Sequence, residues 1–85
     1  MPRLRGRRLA DTQPFRVVFE PGDYLHDPRT GSWWALPPQG QVLCLDDHII
    51  QVHDDGTITV KPEVKALGVT KPGWIGRLVK GVWLS

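Results

Sequence analysis

A β-hairpin signal in the middle of the chain places the strongest constraint on the fold. Two runs rich in β-branched residues, 48–53 and 57–60, flank an Asp-Asp-Gly turn that ends at Gly56. Asp55 and Gly56 tolerate the positive φ angles that a tight hairpin turn requires. The alternation of apolar and polar residues predicts one shared buried face. Four apolar residues are expected on that face: Ile50, Val52, Ile58 and Val60.

The remaining β-prone segments are also short, and Gly, Pro and Asp residues typical of turns separate them. They span 15–20, 24–26, 32–36, 41–45, 74–79 and 82–84. No segment repeats apolar residues at helical spacing over three turns, so a long helix is not expected. A single helical turn is predicted at 63–67, and a turn is predicted at Pro72-Gly73. The sequence therefore predicts a mainly β fold: a compact antiparallel sheet or small open barrel of five to seven short strands, with at most one short helix.

The positive charge is concentrated at the start of the chain. The first eight residues contain four arginines, whereas residues 9–85 contain seven basic and nine acidic side chains. We expect residues 1–14 to form a flexible basic arm and residues 15–85 to form a single β-rich domain, since 85 residues suit one domain. Nucleic-acid binding through the arm is the alternative function, because arginines can neutralise phosphates. The residues that would carry it are Arg3, Arg5, Arg7 and Arg8.

The number of cysteines and the hydropathy of the chain indicate the cellular compartment in which the protein is expected. Cys44 is the one cysteine of the chain, so an internal disulfide is excluded and a reducing compartment is expected. A run of about 18 apolar residues, which a transmembrane helix needs, is missing from the sequence. We therefore expect a cytoplasmic protein without a membrane association.

Cys44 and the two histidines that follow it are candidates for a metal site or a catalytic site. Sulfur and imidazole are zinc ligands, and His48 and His53 follow Cys44 within ten positions. These three residues are weak candidates, because their spacing matches no zinc-binding pattern. No glycine-rich elbow accompanies Cys44, so a nucleophile is not indicated. We expect no metal, no cofactor and no catalytic residues: the chain is predicted not to be an enzyme, with a small metal-dependent enzyme as the least favoured alternative.

Four tryptophans in 85 residues indicate a binding protein. Trp33 and Trp34 are consecutive, so on a strand they face opposite sides and one of them is expected on the outer face. Exposed tryptophans are favoured interface anchors. The predicted contact surface for a protein partner is aromatic and acidic, and it comprises Trp33, Trp34, Asp46, Asp47, Trp74 and Trp83. Exposed strand edges also leave a homodimer open, formed by sheet extension.

The C-terminal half resembles a family of small phage and prophage proteins of unknown function. The resemblance is carried by His53-Asp54-Asp55-Gly56-Thr57-Ile58-Thr59-Val60-Lys61-Pro62-Glu63-Val64, by Gly73-Trp74-Ile75-Gly76-Arg77-Leu78 and by Gly81-Val82-Trp83. Family members often have Cys and His positions that suggest zinc, whereas this chain has Ile75 where the family pattern has His. The resemblance implies a phage-encoded accessory protein in the host cytoplasm. An inhibitor that occupies the surface of a host enzyme or defence complex is the expected function.

Overall fold

The computed structural model describes residues 3–66 and 74–85. Within these ranges the chain forms nine short β-strands and one 3-10 helix, so the prediction of a mainly β fold is confirmed. In chain order the strands are β1 (Arg3–Arg5), β2 (Arg7–Arg8), β3 (Asp23–His26), β4 (Trp33–Ala35), β5 (Leu43–Cys44), β6 (Ile49–Val52), β7 (Ile58–Ala66), β8 (Trp74–Val79) and β9 (Val82–Leu84). The 3-10 helix spans Pro14–Arg16, between β2 and β3.

The described strands form two open sheets. One has five antiparallel strands in the order β1-β9-β8-β7-β6. The other has four strands in the order β2-β3-β4-β5, and β2 pairs with β3 in parallel while the remaining pairs are antiparallel. Because β1 belongs to one sheet and β2 to the other, the chain crosses between the sheets at Gly6.

The predicted hairpin is formed by β6 and β7. His53 N–H donates to Thr57 O at 2.8 Å, and Gly56 has a φ of 86° at the turn. Ile58 and Val60 are fully buried, as predicted, whereas Val52 is 53% exposed and its predicted burial is wrong. Ile50 is partly buried against the core, whereas Val52 is the last residue of the edge strand β6 and lies next to the turn.

The core lies where the two sheets contribute apolar side chains. From the five-stranded sheet come Ile58, Val60, Val64, Trp74, Leu78 and Trp83, and from the other sheet and its loops come Tyr24, Ala35 and Leu45. Trp74 packs edge-on against Trp83 with their ring centroids 5.4 Å apart. A side chain at Gly76 would overlap the Trp74 ring, so glycine is required at this point of close approach.

The expectation of a flexible basic arm is wrong for residues 3–8. Arg3–Arg5 pairs with β9 and Arg7–Arg8 pairs with β3. Gly6 N–H donates to Gly81 O at 2.7 Å, and Leu9 N–H donates to Tyr24 O at 2.8 Å. Backbone hydrogen bonds therefore hold this segment, and they do not depend on the charge of its side chains. These two additional strands raise the strand number above the predicted five to seven.

Two local predictions differ from the structure. The predicted strand at 15–20 is instead the 3-10 helix Pro14–Arg16 followed by extended chain, with Arg16 N–H donating to Gln13 O at 3.0 Å. Proline suits the start of such a turn because its φ is fixed and it lacks an N–H. The helical turn predicted from residue 63 is wrong as far as Ala66, because β7 continues to Ala66 through an irregularity between Val60 and Val64 that accommodates Pro62.

The turn predicted at Pro72-Gly73 lies outside the described residues. In the part of the chain that the structure describes, no helix has the length and apolar character needed to cross a membrane.

Candidate functional site

The two tryptophans of β4 have different surroundings, as expected for consecutive residues of a strand. The guanidinium carbon of Arg8 lies 5.0 Å from the centroid of the Trp33 ring, and the His26 ring centroid lies 4.9 Å away. His26 Nδ1 is in turn 3.6 Å from a carboxylate oxygen of Asp11. Trp33 is therefore half-buried, and its ring is covered by the Arg8 guanidinium and the His26 imidazole of the same chain.

Trp34 lines an open groove of about 600 Å³. The other lining residues are mostly apolar, and most come from the segment before β3: Pro14, Phe15, Val17, Phe19, Asp27 and Val42. We call this surface the Trp34 groove. The 3-10 helix turns the chain at Pro14–Arg16 and leaves the following residues extended, so that this segment forms one wall of the groove.

The apolar residues around the Trp34 groove are unusually exposed. Phe15 is 79% exposed and Val42 is 40% exposed, while the neighbouring Val18 is 89% exposed. Single exposed apolar residues are normal, but contiguous apolar patches on a small protein mark interaction surfaces. The Trp34 groove is such a patch, because its exposed residues surround a half-buried indole.

The polar groups of the Trp34 groove are few. Asp27 is buried, and its carboxylate accepts a hydrogen bond from Arg29 N–H at 2.9 Å. The indole N–H of Trp34 is buried and has no hydrogen-bond partner among the described residues. A mostly apolar groove with a single carboxylate, itself engaged in a loop, is suited to binding an apolar group and offers no arrangement for acid–base chemistry.

The structure corrects the predicted contact role of two tryptophans. Trp83 is fully buried, and its indole N–H donates to Gly22 O at 2.9 Å. Trp74 is 8% exposed and packs against Trp83. Both residues fill the core, because a small domain obtains much of its buried area from large aromatic side chains.

Asp46 and Asp47 are exposed in the turn between β5 and β6, where His48 N–H donates to Leu45 O at 3.0 Å. They are not among the residues that line the Trp34 groove. The structure thus does not join the acidic and the aromatic parts of the predicted surface into one site.

The three weak metal candidates have separate contacts. His53 Nε2 lies 2.7 Å from Thr59 Oγ1, and His48 Nε2 lies 3.3 Å from Glu63 O. Burial raises the pKa of the Cys44 thiol above its usual value, which disfavours the thiolate that binds metals and attacks substrates. Over residues 3–66 and 74–85, no group of three His, Cys, Asp or Glu side chains is placed to hold a metal ion.

The four N-terminal arginines divide into two pairs. Arg7 donates to both carboxylate oxygens of Asp23, at 2.9 and 3.2 Å, and this pairing raises the Arg7 pKa further. Arg8 donates to Gly56 O at 2.9 Å and covers Trp33. Arg3 and Arg5 belong to the other sheet and are exposed on β1. Of the predicted nucleic-acid-binding set, Arg5, Arg7 and Arg8 nevertheless line one groove of about 400 Å³, whereas Arg3 is not among its lining residues.

Sequence reasoning missed the wall of the Trp34 groove. Phe15, Val17 and Phe19 alternate as in a half-buried strand, so the pattern predicts a strand there. Pro14 is the signal that favours a turn there, since it removes a backbone donor at the start of the segment.

The chain matches no protein-family model, and the comparisons with curated proteins and with solved structures gave no match.

Proposed function

We propose that this chain is a non-enzymatic binding protein that holds an apolar segment of a protein partner in the Trp34 groove. The observation that carries the proposal is the exposure of two apolar residues that line the groove, Phe15 at 79% and Val42 at 40%. Burying apolar surface of this kind contributes about 25 cal/mol per Å². A partner that covers both residues gains this contribution without disturbing the core.

The shape of the Trp34 groove indicates the chemistry of its occupant. Trp34 and Phe15 supply aromatic surface, and aromatic residues are enriched among the residues that dominate binding energy. The pocket is open and shallow compared with an enclosed ligand cavity, which favours side chains of a protein over a small molecule. The occupant is thus a partner segment that presents aliphatic or aromatic side chains.

The resemblance to small phage and prophage proteins supports a proposal about the partner of this chain. The partner is then a host protein, such as a component of a defence complex, and the chain inhibits it by occupying its surface. Inhibition of this kind needs a contact surface and no catalytic group.

Site-specific photocrosslinking tests the proposal. A benzophenone side chain introduced at position 15 is expected to crosslink a partner from host lysate. The same group at position 75 serves as the control, because Ile75 is also exposed, at 58%, but lies on β8 of the other sheet. The adduct formed from position 15 identifies the partner by mass spectrometry.

Substitution then measures the contribution of the groove. Phe15→Ser is expected to weaken binding of the identified partner at least tenfold, and Ile75→Ser is expected to leave it unchanged. Both residues are exposed, so the fold tolerates both changes, and circular dichroism checks this. Equal binding by wild type and Phe15→Ser would show that the groove is not the contact surface.

A further inference from the structure

The outer face of the five-stranded sheet is a second surface, separate from the Trp34 groove. Along β8 burial alternates strictly: Gly76 and Leu78 are buried, whereas Ile75 and Arg77 are exposed. The strand register extends this outer face in both directions, because Arg77 pairs with Leu84, and Leu84 pairs with Arg3. Side chains that share these register positions lie on the same side of the sheet.

Five cationic side chains are collected on this face. They come from three strands that are distant in sequence: Arg3 and Arg5 on β1, Lys61 and Lys65 on β7, and Arg77 on β8. Lys61 and Arg77 line one open groove of about 360 Å³. Lys65 pairs with the exposed Ile75, which places it farther along the same face. We call these five residues the basic sheet face.

The charges of the basic sheet face are not neutralised internally. In the ranges 3–66 and 74–85, the salt bridges involve Arg7, Arg8 and His26, and none involves these five residues. Glu63 lines the same groove as Arg77, and Asp55 lines a groove with Arg5. Five positive charges against two negative charges leave an excess, although residues 9–85 as a whole have more acidic than basic side chains.

The dimensions of the basic sheet face suit an extended polyanion. Neighbouring strands lie about 4.8 Å apart, so the three intervals from β1 to β7 separate Arg3 from Lys61 by about 14 Å. Arg3 and Arg5 are two residues apart on one strand, a distance of about 7 Å. The cations therefore form a flat array, and a flexible phosphate backbone can contact several of them together.

We propose that the basic sheet face binds the phosphate backbone of a nucleic acid without sequence preference. A cluster of Lys and Arg on one face of a domain is the electrostatic footprint of nucleic-acid binding. Trp74 and Trp83 point into the core from the strands of this sheet, so base stacking contributes nothing here and phosphate contacts carry the affinity. The exposed aliphatic surface of the face centres on Ile75, which is little for insertion into a membrane.

Fluorescence anisotropy tests this proposal. It measures the affinity of the full chain for a fluorescein-labelled oligo(dT) of about 20 nucleotides, at salt concentrations between about 50 and 200 mM. The logarithm of the binding constant is expected to fall linearly with the logarithm of salt concentration, by about 0.7 for each phosphate contact. Arg77→Gln removes one contact. It should weaken binding about fivefold at about 0.1 M salt and reduce the slope by about 0.7.

A charge-matched control variant distinguishes binding at the basic sheet face from attraction by the net charge of the protein. Arg29 is exposed in the loop between β3 and β4, so Arg29→Gln removes the same charge from outside the basic sheet face. It is expected to change the affinity less than twofold, whereas the double variant Lys61→Gln/Lys65→Gln should weaken binding more than Arg77→Gln. Phe15→Ser, which tests the Trp34 groove, is expected to bind oligo(dT) as the wild type does.

Three results would overturn the proposal. The first is no binding of oligo(dT) or of a duplex at the lowest salt concentration. The second is an equal loss for Arg29→Gln and Arg77→Gln, which would indicate attraction by net charge alone. The third is binding to vesicles of phosphatidylserine and phosphatidylcholine without binding to oligo(dT), which would assign the face to a membrane surface.

Discussion

Trp83 joins the two sheets through a single side chain. Its ring is fully buried against Trp74, and its indole N–H reaches the carbonyl oxygen of Gly22 at 2.9 Å. Trp83 lies on β9 of the five-stranded sheet, whereas Gly22 immediately precedes β3 of the other sheet. One residue thus supplies both apolar contact area and a hydrogen bond to the Gly22 carbonyl, which also accepts from Arg7 N–H at 3.3 Å.

We expect Trp83→Phe to lower the free energy of unfolding by about 2–4 kcal/mol, because it leaves a cavity in the core and removes the shorter of the two hydrogen bonds to Gly22 O. Urea denaturation measures this change. Trp33→Phe is the control, and it should cost less than about 1 kcal/mol, since Trp33 is half-buried and holds a cation–π contact. An equal cost for both variants would contradict the role assigned to Trp83.

The turn between β6 and β7 contains a carboxylate with a depressed pKa. Asp55 accepts hydrogen bonds from Thr57 Oγ1 at 2.6 Å and from Thr57 N–H at 3.0 Å, and these bonds lower the Asp55 pKa. A group with a depressed folded-state pKa stabilises the fold above its unfolded pKa, and this contribution is lost as the pH falls through the folded pKa.

Thr57→Val removes the hydroxyl donor and keeps the backbone donor. We expect the Asp55 pKa to rise towards its ordinary value in this variant, and an NMR titration of the side-chain carboxyl carbon measures it. The loss of stability on acidification should then be smaller than in the wild type. An unchanged Asp55 pKa would show that the hydroxyl does not hold the carboxylate in its charged form.

Lys80 adopts a backbone conformation that favours other residues. It has a φ of 48° at the turn between β8 and β9, where Gly81 has a φ of 77°. Hairpin turns with two positive φ angles prefer Asn-Gly over Lys-Gly. Lys80→Asn is expected to raise the free energy of unfolding by about 0.5–1 kcal/mol. Lys80→Ala should bring no such gain, and thermal denaturation distinguishes the two variants.

The strand β6 is an exposed sheet edge with an uncharged sequence. Because His53 N–H pairs with Thr57 O, the alternation of antiparallel pairs directs the backbone groups of Ile50 and Val52 away from β7. Ile49 is 73% exposed, and no Lys or Pro interrupts the strand. Edges of this kind pair readily with further strands.

We expect Ile49→Lys to reduce self-association of the purified protein at high concentration, because an edge lysine opposes strand addition. Light scattering across a concentration series measures this effect. Ile75→Lys is the control, since Ile75 is also exposed but lies on β8, whose two edges are already paired. A similar reduction by both variants would attribute the effect to added charge and not to the free edge.

The sequence allowed prediction of those elements whose signal is local. The hairpin of β6 and β7 was predicted correctly, because Asp55 and Gly56 define the turn without help from the rest of the chain. The strand β1 was not predicted, because residues 3–5 become a strand only by pairing with β9, which lies more than 75 positions away in the sequence. Pro62 favours the end of a strand because it lacks an N–H, but the irregularity in β7 removes the need for that N–H.

The candidate site was predicted only in part, because some of its features depend on contacts between residues that are distant in sequence. Consecutive placement of Trp33 and Trp34 indicates two different environments, and Trp34 does line an exposed groove. The burial of Trp74 and Trp83 follows from how the sheets pack, which single-strand patterns do not specify. The basic sheet face is assembled from β1, β7 and β8, so it exists only in the folded molecule.

The N-terminal segment belongs to the architecture of the whole molecule. Residues 3–8 add a strand to each sheet, and Arg7 joins them to Asp23 by two hydrogen bonds. We expect deletion of residues 2–8 to lower the free energy of unfolding by about 2–4 kcal/mol, which corresponds to a fall in Tm of roughly 8–30 °C for a domain of this size. Calorimetry measures it, and an unchanged Tm would restore the flexible-arm interpretation.

The pairing of β1 with β9 has a consequence for the order of events during synthesis. Val82–Leu84 is translated about 80 residues after its partner Arg3–Arg5, which takes roughly 4–16 s at about 5–20 residues per second. Throughout that interval the first strand has no native neighbour on its β9 side. The pairing of β1 in its sheet is therefore completed only after β9 has been translated.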